Sequence, residues 1–395
     1  MSMSQRCDIP ATSSSSAPRA AEAKLQKSAD YQGPRIAFLA SAASIHTARW
    51  ANEMSDCGYE IHIISMHSPR ADDYLKRGKV KFHLLRFGPP WGYVLNSLEL
   101  RRLLARLKPS LLHTHYAGGY GTLSRLSRFH PVLLSVWGSD VYVAPYSSML
   151  KRLLVERNLR VADYLASTSV AMREQTYRFV SPRREISVTP FGIDCDLFRP
   201  LSSGSSGGTF CVGTVKSLED VYGIDYLIEA FSLVSRRNPH VDMRLLIVGG
   251  GSRLSKLKQL SEDFGVAGKT EFVGRMSPEM VPQYLAQMSV FMCLSLSESF
   301  GVSVLEASAC EIPVIVSAVG GLPEVVRDGI TGRVVPPKDS RAAALAIESL
   351  LKNRASAQTM GIAGRQWVMQ NYARKKTTEN MRSLYETILR KHCLQ

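Results

Sequence analysis

The sequence predicts an α/β fold of two facing Rossmann-like domains with a cleft between them. Three observations predict it. The chain has 395 residues, 45% of them hydrophobic, more than one core usually holds. Short apolar runs alternate with helical segments, and the series occurs twice, as parallel sheets of βαβ units require. Between the two series lies Leu201-Ser202-Ser203-Gly204-Ser205-Ser206-Gly207-Gly208, small polar residues with nothing to pack.

Residues 1–33 are rich in Ser and Ala, include Ser13-Ser14-Ser15-Ser16, and read as a disordered tail. The first domain is expected over 34–195. It opens with Ile36-Ala37-Phe38-Leu39-Ala40, a helix and Ile61-His62-Ile63-Ile64, with further strands at 81–86, 110–114, 132–136, 164–168 and 186–189. A linker at 196–208 leads to a second domain over 209–370. There Phe210-Cys211-Val212-Gly213, a helix near 225–235, and Arg244-Leu245-Leu246-Ile247-Val248 before Gly249-Gly250-Gly251 restart the pattern, and 290–294 is another strand. The end, from Gln366 to about His392, reads as one or two helices, and 371–395 as a helical segment returning to the first domain.

Seven cysteines stand singly, with no CxxC pair, as in a reduced cytosolic protein without disulfides or a zinc site. No apolar run approaches the roughly 20 residues that span a bilayer, and no signal-peptide core is present. Charge is lopsided: residues 1–200 carry 27 Lys and Arg against 16 acids, and 101–190 carry 14 against 5. Arg101-Arg102-Leu103-Leu104-Ala105-Arg106 and Lys151-Arg152-Leu153-Leu154-Val155-Glu156-Arg157 mix leucine and arginine at helical spacing. Such helices suit an anionic membrane surface, and equally two solvated helix faces with ordinary core leucines. No motif for nucleic acid accompanies the charge. The expected location is cytoplasmic, with peripheral contact at the inner membrane face.

Ligands of parallel sheets bind beyond the carboxyl ends of the strands. There, Ser297-Glu298-Ser299-Phe300-Gly301-Val302-Ser303-Val304-Leu305-Glu306 follows the strand at 290–294 and opens a helix. The free amides of Gly301, Val302 and Ser303 and the positive end of the helix dipole favour a diphosphate. Glu306 lies about 2.2 turns beyond Glu298, at roughly 3.6 residues per turn, and faces the same cleft. One carboxylate suits sugar hydroxyls and the other a ribose diol. In isolation, such a pair reads more simply as a first-turn helix acid and a surface ion-pair partner.

The pair is not isolated. The stretch from Ser295 to Cys310, then Pro313-Val314-Ile315-Val316 and Gly320-Gly321-Leu322-Pro323-Glu324-Val325-Val326, resembles the donor-site signature of family 4 retaining glycosyltransferases of the GT-B fold, the group 1 type. Val188-Thr189-Pro190-Phe191-Gly192-Ile193-Asp194, Tyr226-Leu227-Ile228-Glu229-Ala230-Phe231 and Phe272-Val273-Gly274-Arg275 match as well, so the resemblance runs from about Arg35 to Tyr372. It implies that Glu298 contacts the transferred sugar and Glu306 the donor ribose, with Ser299, Phe300, Gly301 and Val302 around the diphosphate. Gly274, Arg275 and Met276 match the loop against the nucleobase.

Other positions depart from the family. Its arginine after the first strand of the second domain has Lys216 as stand-in, and its lysine before Gly223 is missing. Its His-Gly-x-Asp turn is Trp137-Gly138-Ser139-Asp140 here, where Trp137 cannot accept a hydrogen bond. Asp140 is expected to orient sugar hydroxyls, or to cap the next helix. Ser41-Ala42-Ala43-Ser44-Ile45-His46-Thr47 replaces the usual Gly-Gly loop and offers His46. Of His113 and His115, taken to alternate across a strand end, His115 is expected at the cleft. The resemblance implies a hexosyltransferase with a UDP- or GDP-linked sugar donor and a saccharide or lipid-linked acceptor, in surface polysaccharide or glycolipid synthesis. Transfer is expected by front-face attack with neither cofactor nor metal. Trp137 and the missing lysine leave open a silent nucleotide-sugar-binding partner of another transferase.

Overall fold

The computed structural model describes residues 33–69, 79–201 and 208–393. The serine-rich tail up to residue 32 and the linker stretch 202–207 lie outside the described residues. Two parallel sheets form the body. The first holds β1 (Arg35–Leu39), β2 (Glu60–Ser65), β3 (Val80–Leu84), β4 (Leu111–His115), β5 (Val132–Ser135), β6 (Tyr164–Ser167) and β7 (Ser187–Val188) in the order β3-β2-β1-β4-β5-β6-β7. The second holds β8 (Phe210–Val215), β9 (Met243–Val248), β10 (Thr270–Gly274), β11 (Val290–Cys293), β12 (Val314–Ser317) and β13 (Gly332–Val335) in the order β10-β9-β8-β11-β12-β13.

Helices cover both faces of each sheet, so the central strands are continuous apolar runs rather than alternating ones. Ile36, Ala37, Phe38 and Leu39 have no exposed surface, nor do Leu245, Leu246 and Ile247. Each predicted apolar run forms a strand within two residues of its expected bounds. The terminal segment is longer than its pattern indicated: Arg354–Asn371 packs on the second sheet's helices, and Arg374–Cys393 lies against the helix Ile45–Asp56 of the first unit. Tyr385, fully buried, ties this last helix down with a 2.5 Å hydrogen bond to His113 Nδ1. The hinge passes beneath it at Gly192, where a Cβ would strike Thr377 and the backbone of Arg374.

In both sheets the strand order reverses at one point, between β1 and β4 and between β8 and β11. Chain leaving the carboxyl ends of strands on either side of a reversal diverges, and a crevice opens between. Lys216 follows β8 directly, and Glu298 lies in the loop after β11, so these two straddle the crevice of the second sheet.

Candidate functional site

The two crevices face each other and form one cleft of about 720 Å³. The second sheet supplies Lys216, Arg275, Met276, Glu298 and the stretch from Ser299 to Ser303, with Glu306 deeper in the helix Val302–Ala309. The first unit supplies His46, Arg49 and Trp137, and the hinge supplies Phe191.

The backbone explains why these side chains converge. Gly301 caps the helix at φ 107°, a left-handed conformation natural to glycine, and turns the amides of the first turn toward the cleft. Ser303 Oγ there is buried without a hydrogen-bond partner. Gly320 and Gly321 hold the Glu298 loop from below: the Gly321 amide donates to the Glu298 carbonyl at 3.1 Å, and a Cβ at Gly320 would collide with that carbonyl.

Lys216 Nζ donates to Glu298 Oε2 and lies 4.7 Å from the centre of the Tyr222 ring. The side chains of the pair are only 14% and 12% exposed. Burial alone would lower the Lys216 pKa; the Glu298 carboxylate more than reverses this and the net direction is upward, so Lys216 is a firm cation. Tyr222 fills the position before Gly223, where the resemblance calls for lysine, and flanks the remaining cation instead. Burial raises Glu306 to about 7, against which Arg49 and Lys216 pull downward. Arg49 Nη1 stands 3.9 Å from Glu306 Oε1, a cation of the first unit beside a carboxylate of the second.

Three expected site residues do not line this cleft. Asp140 is fully buried, and its carboxylate accepts the amides of Ala117 (2.8 Å), Trp137 (3.1 Å) and Gly138 (2.8 Å). It therefore shapes the Trp137-Gly138 turn and has no free face for sugar hydroxyls. His115 is buried behind Trp137, with ring centres 4.3 Å apart. The expected alternation of His113 and His115 is corrected: residues two apart share one strand face, and the two rings touch at 4.3 Å. Gly274 sits behind Arg275 with φ 89°, its carbonyl accepting from the Gly249 amide at 2.8 Å.

His46 stacks on Phe191 at 4.1 Å, and burial, aided by Arg49, lowers it to about 4, so the ring is neutral. Trp137 meets the rings of His46, His115 and Phe191 and walls the first unit's side of the cleft. Across it, Ser299 Oγ donates to the Trp137 carbonyl at 3.4 Å, and Ser169 Oγ donates to the Ser299 carbonyl at 2.6 Å. A further link is Glu324, whose carboxylate accepts the Val170 and Ala171 amides at 2.8 and 2.6 Å at the start of the helix Val170–Tyr177. Arg49 was missed by sequence reasoning because an arginine one turn inside an ordinary helix gives no signal; its spacing of three from His46, one turn on the same face, was the available clue.

Residues 202–367 match the family of glycosyl transferases group 1, and residues 35–169 match glycosyl transferase 4-like proteins. A GDP-mannose-dependent alpha-(1-6)-phosphatidylinositol monomannoside mannosyltransferase of Mycolicibacterium smegmatis is 32% identical over 268 residues, 64% of this chain and 69% of that one. The N-acetyl-alpha-D-glucosaminyl L-malate synthase of Bacillus anthracis is 24% identical over 356 residues, 86% of this chain and 92% of that one. Among solved structures, sucrose-phosphate synthase of Thermosynechococcus elongatus has the same fold, with a TM-score of 0.81 at 22% identity over 91% of this chain and 100% of that one. Anabaena HepE in complex with UDP gives 0.77 at 16% identity over 89% and 100%.

Fold and cleft are those of the GT-B class, and the family matches and relatives make the chain a nucleotide-sugar-dependent glycosyltransferase. The chain belongs to the group 1 glycosyltransferases, family 4, and is a retaining transferase.

Proposed function

We propose that this enzyme moves a hexose from a UDP- or GDP-linked donor to a saccharide or lipid-linked acceptor at the cytoplasmic face of an anionic membrane, in the synthesis of a surface polysaccharide or glycolipid. The observation that carries the donor half is the Lys216–Glu298 pair at the mouth of the helix Val302–Ala309, with Glu306 deeper in the same cleft. The first-turn amides and Ser303 Oγ receive the diphosphate, and Lys216 neutralises the leaving group. Glu306 accepts the ribose hydroxyls, the Arg275–Met276 loop lies against the base, and Glu298 holds hydroxyls of the sugar. Arg49 supplies from across the cleft the second cation for the diphosphate. A GDP-mannose-dependent relative and a structural neighbour bound to UDP support this donor class.

Retention follows from the route of attack. The acceptor oxygen approaches the anomeric carbon on the face from which the diphosphate departs, the carbon–oxygen bond to phosphate breaks, and the acceptor proton passes to the departing phosphate oxygen. No carboxylate is assigned as a covalent nucleophile: Glu298 holds sugar hydroxyls, Glu306 lies deeper in the helix Val302–Ala309 with the ribose, and Asp140 is closed off by three amides. We propose that no metal is needed, since Lys216, Arg49 and the helix mouth carry positive charge enough.

The first unit is the acceptor side, where His46 and Trp137 wall the cleft. Its excess of basic residues supports the membrane assignment. The test is thermal unfolding with UDP, GDP and ADP, then with sugar nucleotides of the stabilising base. A ligand at 100 times its Kd adds about 2.7 kcal/mol. One base is expected to stabilise, and Glu306→Ala to abolish the shift. No shift with any nucleotide would overturn the donor assignment.

A further inference from the structure

The mixed leucine–arginine helices divide on inspection. In Ser97–Leu107 the expected amphipathic leucines turn inward, Leu104 being 2% exposed and Leu103 half-buried, beside the core residue Leu100. Leu98 of the same helix stands 60% exposed, and most other large apolar side chains left in water lie outside it. Among the described residues, twelve of the twenty exposed large hydrophobic side chains fall between Leu84 and Val161. One group follows β3, with Trp91 76%, Leu95 55% and Leu98 60% exposed; another follows β5, with Tyr146 61%, Met149 72% and Leu150 68% exposed.

These two groups belong to one surface. The strands are parallel, so the chain leaving β3 and β5 emerges at the same end of the sheet, the end that opens to the cleft. The helices Gly92–Leu95 and Met149–Val161 both pack on the helix Gly119–Ser127 between them. Tyr93 closes against Tyr120 at 5.6 Å, and Tyr116 OH reaches Ser139 Oγ at 2.6 Å, joining the loop after β4 to the one after β5.

Charge around the groups is mainly positive; the acids nearest them are Glu99, which accepts the Arg86 amide, and Glu156, paired with Arg152 at 2.8 Å. Residues 84–155 hold nine Lys and Arg against two acids, Glu99 and Asp140, and Asp140 is buried. Arg86, Lys151 and Arg152 are exposed beside the apolar groups. Large apolar side chains standing in water among cations match the interface of a bilayer with anionic headgroups, where rings and thioethers enter the acyl boundary and ammonium and guanidinium groups stay at the phosphates.

We propose that this surface docks on an anionic lipid bilayer, with the residues around Trp91 and those from Tyr146 to Leu150 inserted, and that it turns the acceptor side of the cleft toward the membrane. It rests on the reading of the first unit as the acceptor side, and it deepens that reading: the acceptor is a lipid-anchored molecule whose head rises from the bilayer, not a free sugar in solution.

The test is flotation of the full-length chain with vesicles of phosphatidylcholine alone and with 30% phosphatidylglycerol, at low and high salt. Binding to the anionic vesicles is expected, and part of it should survive high salt, since apolar insertion is unscreened while the charge contribution is not. Met149→Ser with Leu150→Ser should lower the partition coefficient at least tenfold and leave the stabilisation by nucleoside diphosphate unchanged. Trp91 emission should shift to the blue on vesicles, a change lost in Trp91→Phe. If the chain binds nucleotide but no vesicle, the docking surface falls and the donor assignment stands. If the serine pair instead turns a dimer into a monomer without altering vesicle binding, the surface is a self-association interface and the proposal is overturned.

Discussion

Lys216 donates its ammonium hydrogen to the carboxylate of Glu298, two side chains 82 residues apart in sequence that the reversal of strand order brings together. In the ligand-free protein each neutralises the other. Under the donor assignment proposed above, Lys216 turns to phosphate and Glu298 to the sugar once a donor binds, and the pair is a preformed site whose partners part as the substrate arrives.

Removing either partner has two separable effects. Lys216→Met should lower kcat/KM about 100- to 1,000-fold, the usual loss for a group that stabilises developing charge. It should also destabilise the free enzyme by about 2–3 kcal/mol, below the range for fully buried pairs because some solvent reaches this one. Glu298→Gln should show a similar split. The double variant should recover most of the stability and none of the activity. Urea unfolding beside steady-state kinetics checks both, and an unchanged kcat/KM in Lys216→Met would remove that residue from the donor site.

Glu306 makes the protein pH-dependent. Burial holds its folded pKa at about 7, above the unfolded value of 4.5. The folded state therefore keeps a proton that the unfolded chain releases. The stability contributed is full below pH 4.5 and is lost as pH rises through 7, about 3 kcal/mol at most. Glu53, raised to about 7 by burial under the last helix, has the same sign and window. Glu306→Gln should therefore be more stable than the parent at pH 8, whereas the carboxylate that accepts ribose hydroxyls is lost and nucleotide affinity falls. A variant no more stable at pH 8, by denaturant titration, would mean that the carboxyl is ionised at no cost.

Arg49 is expected to act on phosphate. Arg49→Gln should weaken nucleoside diphosphate binding about tenfold or more, as one charge-assisted contact of about 1.5–3 kcal/mol requires, and weaken nucleoside binding much less. Because Arg49 also lowers the Glu306 pKa, the variant should shift that titration upward. Calorimetry with the base series from nucleoside to diphosphate separates the two effects. Equal losses across the series would assign Arg49 to holding Glu306 alone.

Most of the architecture was legible in the sequence, because buried parallel strands must be apolar on both faces and the glycines of Gly301 and Gly320-Gly321 mark backbone that only glycine accommodates readily. The stretch from Glu298 to Glu306 was legible as cleft-lining, because a strand–loop–helix stretch at the carboxyl end of a parallel sheet opens into the crevice; its expected donor role, like that of Lys216 and the Gly274–Met276 loop, came from the resemblance. What was not legible depends on which way a side chain turns. Asp140 was a polar residue in a cleft loop, and only the geometry shows three amides closing on it. His115 matched by position but is covered by Trp137. Arg49 contributes from a helix of the other unit, through a contact 257 residues away in sequence that no local pattern encodes.

The same holds for Glu324, which the sequence offered as one more residue of the Gly-Gly-Leu-Pro-Glu run. Its carboxylate accepts two amides at the start of a helix in the first unit, so it fastens the two units together at the edge of the cleft. Among the described residues none of its hydrogen-bond partners is one expected to grip the nucleotide, and its backbone carbonyl accepts from Tyr372 OH at 3.1 Å, at the crossing back to the first unit. Glu324→Ala should therefore leave nucleoside diphosphate affinity within about twofold while kcat falls about tenfold, the loss expected when about 1.4 kcal/mol is taken from a closed state needed only for transfer. Glu324→Gln, which keeps one acceptor oxygen, should fall between. Small-angle scattering should show a larger radius of gyration for the alanine variant. If nucleotide affinity and kcat drop together, Glu324 supports the Glu298 loop from below rather than the closure of the two units.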